Sequence, residues 1–492
     1  MSSTNGIDHE ILIVGAGFSG IGVAIELRKA GFDDFLIIDE ADGVGGTWHW
    51  NTYPGVAVDI PSFSYQFSFE QRTDWSRVYA PGRELKAYAE SCVDKYELRS
   101  RIRFGTTVVG ADFDENADRW VLHTTDGELT ARFVISATGV LTRPKLPDIP
   151  GIESFAGATM HTSRWDHRQD LRGKRVAIIG TGASAVQVIP EIAAQVEQLT
   201  VFQRTPIWCL PRPDLPLPLP ARLALKIPGG RTVTRLVSQT YVEFTFPLAA
   251  HYHRSLPTAA IGERAGLAHL RRQVKDPVTR AALTPKYALG CKRPSFSNDY
   301  LSTFNRANVT LETAAISEIT PTGVHSTTEH AADVLILATG FKVMESGNMP
   351  TYDLHGVGGR DLETWWDENR LQAYEGVSVP GFPNFFSIIG PYGYNGASYF
   401  TLIENQTRHI LRCLHHARTN AADRIEVTEE ANDRYFREML ARRGGQVFWD
   451  QSCAVANSYY FDKHGDVPLR PTSTLESAWR SGHFPLTDYV FS

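Results

Sequence analysis

Two glycine-rich loops, each set between an apolar strand and a helix, constrain this chain more than any other feature. The first reads Gly15-Ala-Gly17-Phe-Ser-Gly20 and the second Gly180-Thr-Gly182-Ala-Ser184-Ala185. In a loop of this kind the first glycine permits a tight turn. The second lets backbone approach a pyrophosphate, and the third lets the helix pack against the strand. The helix N-terminus beyond it offers free N–H groups and a positive dipole end to phosphate. A lone pattern of this sort is weak, but here each has its flanking apolar strand and helix. Two such loops imply two nucleotides, a flavin and a nicotinamide. The fold class expected is α/β, with two Rossmann-like dinucleotide-binding domains and a helical insertion.

The first unit runs from a strand over 10–14 through a helix over 21–30 to the strand Phe35-Leu-Ile-Ile38. Asp39 ends that strand about 20 residues beyond the last glycine, where a carboxylate accepts ribose hydroxyls, with Glu40 as the fallback. In the second unit Ala185 replaces the third glycine. The helix begins near Ser184, and strand 198–202 ends in Gln203-Arg204-Thr205. Arginine in place of an acid suits a 2′-phosphate through a forked, charge-assisted contact, so NADPH is the expected reductant.

The Ala-Thr-Gly runs at 137–139 and 338–340 each follow an apolar strand and bracket the second unit. They are read as passages between domains. This divides the chain into a first part of an FAD domain (1–140) and a first part of an NADPH domain (141–204). A Pro-rich, then helical insertion follows (205–284), then the second part of the NADPH domain (285–340). The second part of the FAD domain, with C-terminal helices, completes the chain (341–492). The stretch from Pro206 to about Leu225, with the loop Pro391-Tyr392-Gly393-Tyr394, is expected to shape a substrate pocket.

Forty-nine basic and 55 acidic residues leave a net charge of −6, which provides no electrostatic basis for binding nucleic acid or an anionic membrane surface. The polar opening MSSTNGIDHE lacks a cleavable apolar segment. No run reaches the length of a membrane span, and no charged amphipathic stripe marks a membrane contact. Five scattered cysteines (Cys92, Cys209, Cys291, Cys413 and Cys453) fit unpaired thiols in a reducing cytoplasm. No CxxC pair is present, which counts against flavin disulfide reductases. Nothing clusters as a metal site.

The segment Phe155-Ala-Gly157-Ala-Thr-Met-His161-Thr-Ser-Arg-Trp165-Asp166 lies between the loops. It resembles the fingerprint of the type I Baeyer–Villiger monooxygenases. Gly45-Gly46-Thr-Trp48-His-Trp50, continuing through Tyr53-Pro-Gly55 to Asp59, resembles a second signature of that family. Cys291-Lys292-Arg293-Pro294 resembles a third. Together these span roughly residues 10 to 400. The resemblance implies FAD, NADPH and O2 as reactants and a small ketone as substrate. A C4a-peroxyflavin would insert one oxygen beside the carbonyl, giving an ester or lactone. It implies that Arg293 is the fixed cation beside the flavin, that Asp59 holds it, and that Lys292 reaches the NADPH phosphate or ribose. His161 is read as a hinge residue at the domain junction, with Trp165 as its packing anchor. Trp48 and Trp50 could stack near the flavin or simply pack in a core. Where the family often has a Ser-Trp pair that covers the nicotinamide, this chain reads Ser458-Tyr459.

Two rival readings stand beside this one. A flavin N- or S-oxygenase acting on soft nucleophiles shares the loops but needs no anion-stabilising arginine. A non-catalytic nucleotide-binding protein could retain the fold alone.

Overall fold

The computed structural model describes residues 6–345 and 347–492. Residues 1–5, the start of the polar opening stretch, and Ser346 lie outside the described residues.

Each glycine loop builds the unit its sequence implies. In the first, β1 (His9–Val14) leads into α1 (Phe18–Lys29) and β2 (Phe35–Ile38), with β1 and β2 parallel from Ile11↔Phe35 to Val14↔Ile38. The helix starts at Phe18, earlier than its apolar spacing indicates, so Ser19 and Gly20 belong to its first turn. Gly15 turns at φ +111°, and a Cβ there would lie 2.6 Å from the Ala137 carbonyl oxygen. No other residue type fits that turn between two strand ends. In the second unit β3 (Arg175–Ile179), α2 (Ala183–Ile192) and β4 (Gln198–Phe202) repeat the arrangement.

The strands assemble into two separate main sheets. In the first, the order is 353–355, 108–114, 119–124, 127–136, β1, β2 and 102–103, with 385–387 also pairing on 127–136. It is mixed: 108–114, 119–124 and 127–136 form an antiparallel meander, while β1 and β2 run parallel. The second is a five-stranded parallel sheet, ordered 309–312, β4, β3, 334–337 and 158–161. Its inner strand Val334–Leu337 is apolar throughout because both faces are buried: Val334 and Ile336 cluster with Val186 and Ile189 of α2, and Leu335 and Leu337 with Ile319 and Val324 of a small antiparallel sheet.

Two stretches join the sheets side by side. Lys145 N–H donates to the Gly340 carbonyl at 2.9 Å and Lys342 N–H to the Arg143 carbonyl at 3.0 Å, an antiparallel pair of crossings just past the two Ala-Thr-Gly runs. Residues 205–284 are Pro-rich and then helical. They include α3 (Leu219–Ala224), α4 (Gly230–Thr245) and the equally long helix Thr258–Gln273. Helices Tyr399–Thr419, Glu429–Arg442 and Thr474–His483 close the chain.

The cysteines depart from the sequence expectation. Cys291 and Cys453 form a disulfide with Cα atoms 5.2 Å apart. Their sequence separation of 162 residues is what hid the pairing. Cys92, Cys209 and Cys413 are free and buried.

Candidate active site

A cleft of about 1340 Å³ lies between the two sheets, lined by both glycine loops. A single drug-sized ligand takes roughly 300–1,000 Å³, so this cleft has room for more than one. Gly15, Gly17, Asp39, Glu40, Gly46, Trp48 and Asp59 line it from the first unit. Gly180, Gly182, Ser184, Arg204, Thr205, Lys292 and Arg293 line it from the second unit and the chain that follows. Tyr459 completes it from the C-terminal segment. Gly20 is absent from the lining, because a Cβ there would strike the Gly15 carbonyl oxygen; its role is packing. Among the described residues no group of three or more side chains could hold a metal ion. No helix there is long and apolar enough to cross a membrane.

The loops fit dinucleotides on their own geometry. Gly180 has φ +112° and would crowd the Ala338 carbonyl oxygen at 2.4 Å if it carried a Cβ, whereas a Cβ at Gly182 would meet nothing within 4 Å. Gly182 therefore faces open cleft, the space a phosphate needs. Neither α1 nor α2 has a capping side chain or an acid in its first turn. By contrast Asp276, Asp361, Thr428 and Ser473 each cap their own helix. The N–H groups of α1 and α2 are left for a ligand anion. The Asp39 carboxylate accepts the Ala16 N–H and the Ala41 N–H. Burial pushes its pKa up, against the pull of those bonds. Glu40 faces Arg143 at 3.5 Å.

Arg293 and Asp59 meet inside the cleft: Arg293 Nε donates to Asp59 Oδ2 at 2.6 Å, across 234 residues of sequence. Burial works against the guanidinium charge, but Asp59, Tyr394 and Tyr460 outweigh it, and the group is held protonated well above its ordinary range. The Phe246 ring lies 5.4 Å from the guanidinium carbon. Two cations stand without an acid. Burial, then the neighbouring Arg204, pushes Lys292 down to about 8. Among the described residues neither Lys292 nor Arg204 has a carboxylate partner within ion-pair distance. The site presents uncompensated positive charge where a phosphate would restore balance.

The fingerprint residues lie outside the lining. Phe155 and Met160 are core residues. Gly157 has no room for a Cβ, which would lie 2.4 Å from the Asp333 carbonyl oxygen. Trp165 packs against the core of the second unit. His161 ends the edge strand of the five-stranded sheet and is 7% exposed. Its Nδ1 accepts the Ser163 N–H at 3.1 Å, leaving the proton on Nε2. Burial lowers its pKa to about 4, so the ring is neutral at physiological pH. Within the same segment Arg164 stacks on Trp50 at 3.9 Å. Trp48 donates from Nε1 to the Tyr65 hydroxyl at 3.1 Å and lines the cleft, as Trp50 does.

Some contributors escaped sequence reasoning. Tyr53 donates its hydroxyl to Gln187 Oε1 at 3.0 Å, and Gln187 Nε2 donates to the Ala57 carbonyl at 3.0 Å. Gly55 approaches α2 so closely that a Cβ would lie 2.8 Å from the Gln187 carbonyl oxygen. The Tyr53–Ala57 turn thus docks the first unit onto the second. The signal was present in Tyr53-Pro-Gly55, but its partner was not identifiable. Tyr394, Tyr399 and Tyr460 also line the cleft. From the stretch Pro206–Leu225, expected to shape a substrate pocket, only Ile207 reaches the lining. From 391–394, Pro391 and Tyr394 do. The reason is packing: after Ile207 the chain turns Trp208 and Cys209 into the core, and farther on Leu215 and Leu219 are exposed. The C-terminal wall is tied down twice. Asn457 Nδ2 donates to Thr205 Oγ1 at 2.7 Å, and the Cys291–Cys453 bridge joins this segment to the residue before Lys292.

A family profile described as pyridine nucleotide-disulphide oxidoreductase matches residues 12–216. The Cys291–Cys453 bridge lies beyond that match, and neither cysteine lines the cleft. A Baeyer–Villiger monooxygenase of Pseudomonas aeruginosa is 37% identical over 92% of this chain and 85% of its own length. A structure of OTEMO in complex with FAD and NADP superposes with a TM-score of 0.88 at 28% identity, covering 99% of this chain and 100% of that one. Cyclohexanone monooxygenase from Rhodococcus sp. Phi1 bound to NADP+ gives 0.87 at 28% identity, covering 98% and 99%. With both dinucleotide loops, the Arg293–Asp59 pair and these relatives in place, the chain belongs to the Baeyer–Villiger monooxygenase family.

Proposed function

We propose that this chain converts a ketone, O2, NADPH and a proton into an ester or lactone, NADP+ and water, with Arg293 as its catalytic cation. The observation that carries the assignment of residues is the Arg293–Asp59 pair inside a cleft shared by both nucleotide loops. Bound FAD, reduced by NADPH, supplies the activated oxygen. The protein's task is then positional and electrostatic. Arg293 offers a fixed charge to the oxygen on which negative charge develops, and Asp59 fixes its direction. Arginine suits the task because it stays charged when partly desolvated. Gly15, Gly17 and the uncapped start of α1 hold the FAD pyrophosphate, with Asp39 and Glu40 near its ribose. Gly180, Gly182 and Ser184 hold that of NADPH, and Arg204, Thr205 and Lys292 take its 2′-phosphate. Tyr459 and its neighbours cover the nicotinamide and exclude water. His161, neutral at physiological pH, moves no proton in this scheme. It anchors the crossings about which the two units close.

We assign 1–140 and 341–492 to an FAD domain and 141–204 and 285–340 to an NADPH domain, with 205–284 inserted; the return of strands 353–355 and 385–387 to the first sheet supports this division. We place the enzyme in the cytoplasm, where NADPH is replenished. The Cys291–Cys453 bridge is buried there and shielded from attacking thiols.

The test is Arg293→Ala in the FAD-loaded enzyme. Ketone turnover should vanish while NADPH still bleaches the flavin. Ketone oxidation at the parent rate would refute the role given to Arg293.

A further inference from the structure

The insertion is built inside out. Eight of the 18 large apolar side chains that the described residues expose fall within the short stretch 215–244. On α4, Val233, Leu236, Val237 and Phe244 are 55–64% exposed. They recur at helical spacing on one face. The opposite face, turned toward the protein, carries Arg235 and Ser238, which bond the Gln66 carbonyl and the Ser64 hydroxyl. Leu219, Leu223 and Ile227 extend the outward face along α3 and the turn that follows, each more than half exposed. An exposed apolar helix face of this kind marks an interaction site.

Charge selects its partner. Between 215 and 244 the chain has Arg222, Lys226 and Arg231 beside the inward-facing Arg235, against one acid, Glu243, which accepts the Thr474 N–H and hydroxyl, although the whole chain is net negative. Lys226 and Arg231 are exposed, and neither they nor Arg222 meet a carboxylate among the described residues. A second copy docking through a two-fold axis would set this patch against itself, cation facing cation. An anionic bilayer surface accepts both parts, with the apolar face in the acyl boundary and the cations at the headgroups. The face also leads directly to the site. Two residues beyond Phe244, α4 gives way to Phe246, whose ring packs 5.4 Å from the Arg293 guanidinium carbon and 6.0 Å from the Tyr460 ring.

We infer that the α3–α4 surface docks the enzyme on the interface of an anionic lipid bilayer. Docking does not rest on the reaction proposed above. If that reaction holds, Phe246 links the docked face to Arg293.

The experiment is co-sedimentation of the full, FAD-loaded protein with vesicles of phosphatidylcholine alone, or mixed in roughly equal parts with phosphatidylglycerol. The protein should pellet with the mixed vesicles, less so as salt rises to about 0.5 M. Leu236→Ser with Val237→Ser, on the exposed face, should cut partitioning by about tenfold. Lys226→Glu with Arg231→Glu should abolish the preference for anionic lipid. Leu475→Ser, exposed elsewhere, should change nothing, and bound-flavin absorbance should be unaltered in every variant. Failure to pellet with either vesicle would overturn the inference, as would equal pelleting by the Leu236/Val237 variant. A dimer that dissociates in that variant, without vesicle binding, would assign the face to a second copy and overturn it too. Sedimentation is read without turnover, so its outcome is separate from the Baeyer–Villiger reading.

Discussion

Lys292 makes cofactor affinity depend on pH in a direction the structure specifies. In the free enzyme, burial and Arg204 depress this lysine from 10.5 to about 8. A bound 2′-phosphate is fully ionised above neutrality and would return it toward the ordinary lysine value of about 10.4. The charge is therefore present in both states below pH 8 and affinity is level. Above pH 8 the free enzyme loses a proton that the complex retains, so binding must take one up and weakens by up to tenfold per pH unit. From about pH 7.5 to about pH 9.5 the Kd for NADP+ should rise about twentyfold. The assay is titration of the FAD-loaded protein by calorimetry in two buffers of different ionisation heat, which also counts the protons. NAD+ lacks the phosphate and should show no such slope. Lys292→Met should flatten the NADP+ curve. It should also cost about 10- to 100-fold at pH 7.5, the range for a charge-assisted bond. A level NADP+ curve, or an equal slope for NAD+, would refute the reasoning.

Arg293→Lys keeps a charge but loses the fork that Asp59 grips, and should lower ketone turnover by about 10²- to 10³-fold with flavin reduction intact, read by stopped flow. Gly182→Val should fold normally yet lose NADP+ binding, because its side chain enters open cleft. Gly180→Val should instead lower Tm, because it meets the Ala338 carbonyl, and a scan of both variants separates the two effects. Cys453→Ser should free the segment carrying Tyr459, costing roughly 2–4 kcal/mol of stability by denaturant melt and raising KM for NADPH.

Both nucleotide units could be read from the chain because their rules are local. A buried strand, a glycine turn and a helix fall within about 30 residues, although the carbonyls that crowd Gly15 and Gly180 come from Ala137 and Ala338, far along the chain. Arg204 was equally readable, since strand-end position alone places it in the cleft lining. Asp59 and Arg293 were found only through resemblance: nothing between them signals that two loops so far apart in sequence will meet. Cys291 and Cys453 are the same problem without a family motif to link them. Strands 353–355 and 385–387 are three residues each, too short for any periodicity, and owe their places to the sheet already built. The insertion misled for a different reason. Its opening stretch, Pro206 to about Leu225, was expected to shape the pocket on its apolar content, yet Leu215, Leu219 and Leu223 are exposed, and beyond it α4 turns Arg235 and Ser238 inward.

The most direct test of the central claim is NADPH oxidation by the FAD-loaded protein with a panel of ketones, sulfides and amines, with products identified by mass. The account predicts ester or lactone carrying one oxygen atom from 18O2, with NADPH consumed in equal amount. Sulfoxide or N-oxide alone, or NADPH consumption ending only in hydrogen peroxide, would contradict it.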